Sequence, residues 1–168
     1  RALRAMRLDF VLARIPPAVD PAEFDVVRAG IEQVDVVARQ GHPLAGTRPV
    51  GLAELLAHDW VMQAAGAPIR VAVEEALLAQ GARPPARVTN TASLLVTIAM
   101  LEATDAVAPV SREVARLLTG VGAPGLVALP LSERVEVAPC SLRSLRGRRL
   151  APVAQRCRDI VADMLDGA

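Results

Sequence analysis

The apolar positions of this chain follow two rhythms. Short segments alternate with period two or are apolar throughout, and longer windows repeat every three to four residues. Residues 1–7 read as the tail of a helix. "LDFVLAR" follows as a strand from Leu8 to Arg14, ended by the Pro16-Pro17 loop, because proline cannot donate to a ladder. "EFDVVRAG" and "EQVDVVARQ" are two extended segments with a turn near Gly30, and the second keeps Val34, Val36 and Ala38 on one face. A short helix from Leu52 to Ala57 leads into the strand "DWVMQ". In "PIRVAVEEALLAQG", Val73, Ala76 and Leu77 share a face while Arg70, Glu74 and Glu75 lie elsewhere, and Gly81 is placed to end the helix in the left-handed conformation. "ARVTN" is a strand. "TASLLVTIAMLEA" is apolar almost all round and predicts a helix buried on more than one side. "DAVAPV" is a strand, and "SREVARLLTG" a helix capped by Ser111 and stopped at Gly120. "GLVALPL" and "RVEVAPCSL" read as one strand each, and "APVAQRCRDIVADML" as a final amphipathic helix with Pro152 near its first position.

Strands alternating with helices indicate an α/β chain with mixed, mostly parallel sheets. Composition breaks at Gly41–Pro49 and again at Leu129–Leu131. Two such crossings predict two lobes, residues 1–46 with 127–168 and residues 47–126.

Composition then removes whole classes of function. Acidic and basic residues nearly cancel, at a formal +1, so the global charge of a nucleic-acid binder is missing. All nineteen basic residues are Arg. No apolar run approaches the ~18 residues of a membrane span. "RALRAMRLDF" has neither the apolar core nor the cleavage site of an export signal, and the chain begins mid-pattern without Met, as a piece of a longer protein would. Cys140 closes an apolar strand. Cys157 falls on the stripe Val153, Cys157, Ile160, Val161 and Met164, so both read as core thiols in a cytoplasmic protein. Without CxxC, HExxH or a histidine cluster, no metal or cofactor is expected.

Candidate chemistry is confined to a few turns. In "VTNTASLL", Thr89, Asn90 and Thr91 occupy a strand-to-helix turn, where the N–H groups of Ala92 and Ser93 can meet an anion at a helix start. The plainer reading is that Asn90 or Thr91 only caps the helix. In "QAAGAPIR", Gln63 ends a strand, and Gly66 and Ala67 allow backbone to approach a ligand closely before the helix opens at Pro68; an ordinary polar loop is the alternative. Arg143, Arg146, Arg148 and Arg149 form a basic run without interleaved aromatics, which reads as a solvated loop rather than a nucleic-acid surface. Trp60 reads as core. His42, in "VVARQGHPLAG", has no carboxylate or nucleophile near it in sequence to make it a base, so its turn reads as a junction.

Taken in order, "LDFVLAR", "VDVVARQGHPLAG", "LLAHDWVM", "VTNTASLLVTIAMLEATDAVAPVSREVA" and "GLVALPLSE" resemble the effector-binding domain of LysR-type transcriptional regulators over essentially the whole chain. The resemblance implies a two-lobed, type 2 periplasmic-binding-protein-like fold and a small organic effector, an organic acid or sugar-related metabolite, in an interlobe cleft. It also implies a non-enzymatic role, and a homodimer or homotetramer that meets DNA only through a winged helix-turn-helix not present in these residues. Gln63, Gly66, Ala67, Thr89, Asn90, Thr91 and Ser93 become the expected effector contacts. Arg14 joins them, since regulators that sense aromatic carboxylates carry an arginine there and an Arg fork holds a carboxylate bidentately. The helix bearing Val71, Val73, Leu77 and Leu78 matches the family's dimer helix. Two features depart from the family pattern. The β-α-β unit that normally opens the domain, about 45 residues, is missing. Glu102-Ala103-Thr104-Asp105 stands where a Gly-rich segment is common. The Thr-Asp-Ala-Val form and "RSLRGRRLAPVAQ" resemble the branch that regulates sugar-binding-protein and aromatic-catabolism genes. A free-standing solute-binding protein and an enzyme on the same fold are the rival readings.

Overall fold

The computed structural model describes residues 2–14, 21–28, 30–46, 48–120 and 125–166. These form two compact units, residues 1–31 with 138–168 and residues 32–137.

The first unit holds β1 (Phe10–Ala13), β2 (Phe24–Arg28), β9 (Ser141–Leu145) and α4 (Pro152–Asp166). Strand β9 lies between the other two and is antiparallel to both, with Leu142 opposite Leu12 and Val27. Residues 2–6 form a turn rather than the expected helix tail. The Pro16-Pro17 loop lies outside the described residues.

The second unit is organised on β3 (Glu32–Arg39), flanked in sequence by β4 (Trp60–Met62), β5 (Val88–Asn90), β6 (Ala108–Ser111), β7 (Leu126–Leu129) and β8 (Val135–Val137). Strand β6 runs along one edge of β3. Strands β7 and β8 share the other, β7 against its C-terminal half and β8 against its N-terminal half. Strands β4 and β5 are parallel, and Trp60 bridges to Val107 at the start of β6. Period two on β3 then divides the core. Val34, Val36 and Ala38 pack with Trp60, Met62 and, from α1 (Pro68–Ala79), Val73 and Leu77. Val37 and Val61 pack on the opposite face with Leu101 of α2 (Leu94–Ala103) and Ala115 and Leu118 of α3 (Arg112–Thr119). Trp60 is fully buried and its indole N–H donates to the Leu55 carbonyl at 3.1 Å. Gly81 ends α1 at φ +74°, in the left-handed region only glycine enters freely. Ser111 caps α3 through the Val114 N–H.

Several expectations change. Among the described residues the ladders are mostly antiparallel, because β6, β7 and β8 all run against β3, the strand they share. The expected lobe boundaries after residues 46 and 126 fall inside the second unit, since β3, the centre of its sheet, pairs with β7 across both of them. "RVEVAPCSL" is two strands, β8 and β9, in different units, and Cys140 lies half-buried between them. Helix α2 buries only one side, Thr97 and Leu101, because it lies on one face of the sheet; Leu95 is 79% exposed. Of the four residues on the helix that matches the family's dimer helix, Val73 and Leu77 lie in the unit's own core. Leu78 is exposed and Val71 half-buried. Cys157 and its stripe on α4 are exposed apart from the half-buried Val161, with Val153 at 81%. The basic run is not a free loop: Arg143 sits within β9, Arg146 pairs with Asp25 and Arg148 with Asp9.

Candidate functional site

The parallel pair β4–β5 ends on one side of the second unit, beside the starts of α1 and α2. The Thr91 N–H donates to the Met62 carbonyl at 2.9 Å, so the turn after β5 leans on the end of β4. Here lies a cavity of about 220 Å³. Val61, Met62, Ile69, Pro109, Val110 and Val114 give it apolar walls, while Gln63, Thr91, Thr97 and Ser111 supply an amide and three hydroxyls. It is smaller than the ~300 Å³ at the low end for drug-sized ligands, which suits a small metabolite. Among the described residues no arginine lines it.

The turn into α2 is largely self-satisfied. The Thr91 hydroxyl accepts from the Ser93 N–H at 3.1 Å, and the Ser93 hydroxyl accepts from Val96 N–H, making Ser93 the helix cap. The Ser93 N–H expected to face an anion is therefore already spent. Asn90 is also engaged, its side-chain oxygen accepting from Arg70 at 2.6 Å. Arg70, whose side chain is only 16% exposed, donates in addition to Glu74 at 2.7 Å and to the Gln63 carbonyl at 3.2 Å. One guanidinium thus braces the turns after β4 and β5. The i,i+4 pairing of Arg70 with Glu74 is readable from sequence; its reach to Gln63 and Asn90 is not, because both partners arrive through tertiary packing.

The sequence-derived candidates therefore separate. Gln63 and Thr91 meet in the cavity, with Ser93 and Asn90 structuring its rim. Thr89 lines a different groove, beside Asp59 and Arg87. Gly66, at φ +83°, and Ala67 form the exposed turn before α1 and do not line the cavity. Arg14 belongs to the first unit, where its Nε donates to the Ala138 carbonyl at 2.8 Å. Ser111 and Thr97, which sequence reasoning did not select as contacts, do line it. A more polar cavity of about 520 Å³ lies on the same unit around Asp35, Arg112 and Glu133. Three of its charges are internally engaged: Arg112 pairs with Asp35 at 3.1 Å, which raises the guanidinium pKa further, and Glu133 accepts from the Leu52 N–H and the Ser132 hydroxyl. His42 is buried and both its ring nitrogens meet backbone groups, so it is not poised as a base. Among the described residues no group of acidic, histidine or cysteine side chains could hold a metal, and no helix is long and apolar enough to cross a membrane.

These strand ends and this cavity belong to an α/β domain, and comparison places it further. The chain belongs to the family described as the LysR substrate binding domain, whose model matches residues 1–166. It is 40% identical over 120 residues to the HTH-type transcriptional regulator GbpR of Rhizobium radiobacter, covering 71% of this chain and 40% of that protein. It is 33% identical over 149 residues to GbpR of Azospirillum brasilense, covering 88% of this chain and 43% of that protein. The chain thus spans about two-fifths of these relatives. Among solved structures, the regulatory domain of Synechocystis PCC6803 CcmR in complex with 2-PG superposes with a TM-score of 0.74 at 18% identity, over 98% of this chain and 76% of that one. The effector-binding domain of QuiR in complex with shikimate superposes at 0.71 and 11% identity, over 99% and 76%. Both share the type 2 periplasmic-binding-protein-like fold. The relatives are named as regulators rather than enzymes.

Proposed function

We propose that this chain is the ligand-sensing part of a bacterial LysR-type transcriptional regulator, and that a small organic effector enters the cavity between the ends of β4 and β5 and the start of α2. The carrying observation is the composition of that cavity: an apolar floor with Gln63, Thr91, Thr97 and Ser111 around it, at strand ends and helix starts where open α/β sheets take ligands. The ligands named for the CcmR and QuiR domains, 2-PG and shikimate, support an organic acid or a hydroxylated, sugar-related metabolite. Binding would favour one arrangement of the protein over another, and that difference in affinity is the signal passed to a DNA-binding part and to a homo-oligomer. No bond is made or broken.

Calorimetric titration of the chain with a panel of organic acids and sugars tests this. A hit should be weakened about tenfold or more by Thr91→Val, corresponding to one lost hydrogen bond, and blocked by Val110→Trp, which fills the cavity. Binding unaffected by both variants would move the site elsewhere. Arg14→Ala separates the carboxylate reading: unchanged affinity removes that arginine from the effector contacts.

A further inference from the structure

The polar side chains that line the cavity differ in what each still has to offer. A hydroxyl carries one hydrogen to donate and two lone pairs to accept with. Ser111 caps α3, its oxygen accepting from the Val114 N–H at 3.4 Å, and the Thr91 oxygen accepts from the Ser93 N–H at 3.1 Å. Both oxygens are thus held as acceptors, and among the described residues neither hydroxyl hydrogen meets a partner. Thr97 is the reverse case. It stands inside α2, where a threonine hydroxyl bonds back to the carbonyl four residues earlier, and its O–H donates to the Ser93 carbonyl at 3.1 Å. Its hydrogen is committed, and no described donor reaches its lone pairs.

Burial gives this difference its weight. Ser111 is 7% exposed and Thr97 9%, and both line the cavity with Val61, Val110 and Val114. A buried polar group without a partner is costly, so an occupant has to supply what each hydroxyl lacks. Ser111 and Thr91 call for an oxygen that accepts, and Thr97 for a hydrogen that is donated to it. Gln63 adds an amide that can do either. An acid without hydroxyls brings acceptors alone and leaves Thr97 unmet. A compound with both an acceptor oxygen and a hydroxyl meets all three.

We propose that the cavity selects hydroxylated ligands by hydrogen-bond polarity: a carbonyl, carboxylate or ring oxygen of the ligand accepts from the Ser111 and Thr91 hydroxyls, and a ligand hydroxyl donates to Thr97. This selection rests on the proposed ligand site and narrows its occupant to compounds that carry both groups. A pocket that hydrogen-bonds a hydroxyl rejects the analogue lacking it far more strongly than an apolar pocket rejects a missing methylene, because its own polar group is then stranded. Local rules of the chain set the polarity. A hydroxyl that caps a helix is left with a hydrogen to give, and one inside a helix is left with lone pairs.

Calorimetry on the chain with pairs of compounds that differ only in their hydroxyls tests it: lactate against propionate, shikimate against cyclohex-1-ene-1-carboxylate, and xylose against tetrahydropyran. In at least one pair the hydroxylated member should bind about tenfold or more tightly than its partner, the effect of one hydrogen bond. Thr97→Val keeps the side chain's shape and removes its lone pairs, so it should bring the hydroxylated member down to its partner's level, and Thr97→Ser should restore the difference. Ser111→Asp still caps α3 but has no hydrogen to donate at neutral pH, and it should weaken the hydroxylated member about tenfold or more. Equal affinities within every pair, a difference that survives Thr97→Val, or binding indifferent to Ser111→Asp would each overturn the polarity while leaving a ligand site in place. No binding by any of the six compounds, or binding that survives Val110→Trp, would overturn the ligand site and the polarity together.

Discussion

In the second unit both faces of the β3 sheet are covered, by α1 on one side and by α2 and α3 on the other. In the first unit the three-stranded sheet buries far less. Among the described residues its buried apolar side chains are Leu3, Phe24 and Leu142. Its helix α4 meets the sheet through a polar contact, Arg158 Nε donating to the buried Ser144 hydroxyl, while Val153, Ile160 and Met164 are exposed at 81, 46 and 70%. Ion pairs tie this unit together instead: Arg4 with Glu23, Arg146 with Asp25, Arg148 with Asp9. Such exposed pairs contribute about 0–1 kcal/mol each, against about 1.5–3 for one buried leucine. Both α1 and α4 carry an apolar stripe; what differs is how much of it is covered. The second unit should therefore set global stability and the first should open more readily.

The sharpest way to break this comparison is a matched truncation. Leu77→Ala in α1 should cost about 2–5 kcal/mol in urea unfolding. Met164→Ala in α4 and Leu78→Ala, one position beyond Leu77, should each stay within about 0.5 kcal/mol. Equal losses at Leu77 and Met164 would mean that α4 is as well packed as α1. Next in size is an arginine pair. Arg70→Ala removes the donations to the Asn90 oxygen, the Gln63 carbonyl and Glu74 and should cost about 1–2 kcal/mol, with Arg70→Lys failing to restore it because an ammonium lacks the planar fork. Arg148→Ala in the first unit, which removes donations to Asp9 and the Leu8 carbonyl, should cost about 1 kcal/mol or less. The smallest effect concerns Glu54. The Arg48 guanidinium, helped by the Gly51 N–H, lowers its carboxyl pKa to about 2. The folded pKa is depressed, so this contact is complete above the ordinary 4.5 and is lost only as pH falls through about 2. Carbon-detected NMR titration should find Glu54 ionised at pH 3.5, the Arg48→Ala variant should return it toward its ordinary value, and high salt should shrink the difference.

How much of this was legible differs by kind of feature. The cap at Ser111, the stop at Gly81 and the core role of Trp60 rest on local rules, and the structure shows all three. The division of β8 from β9 was not legible, because "RVEVAPCSL" carries continuous strand character and only pairing decides that Val135 joins Val34 while Leu142 joins Leu12. The candidate site shows the same limit. Gln63 and Thr91 could be picked as turn residues after strands, whereas Thr97 and Ser111 come to the cavity from a helix interior and a strand end.

What the amino-acid order determined alone was where the helices α1 to α4 lie, which residues of a strand share a face, and, through the succession of motifs around "HPLA", the family. These depend on backbone conformation and on spacings of two or 3.6, which a residue imposes on its near neighbours. Tertiary structure decided which faces are covered, where the chain divides into units, that Arg70 spans two turns, and that His42 spends both nitrogens on backbone partners. Each of those depends on a partner far along the chain, Asp105 for His42 and Asn90 for Arg70. Only packing brings such groups within hydrogen-bonding distance, and in a buried site that distance fixes the protonation state and the role.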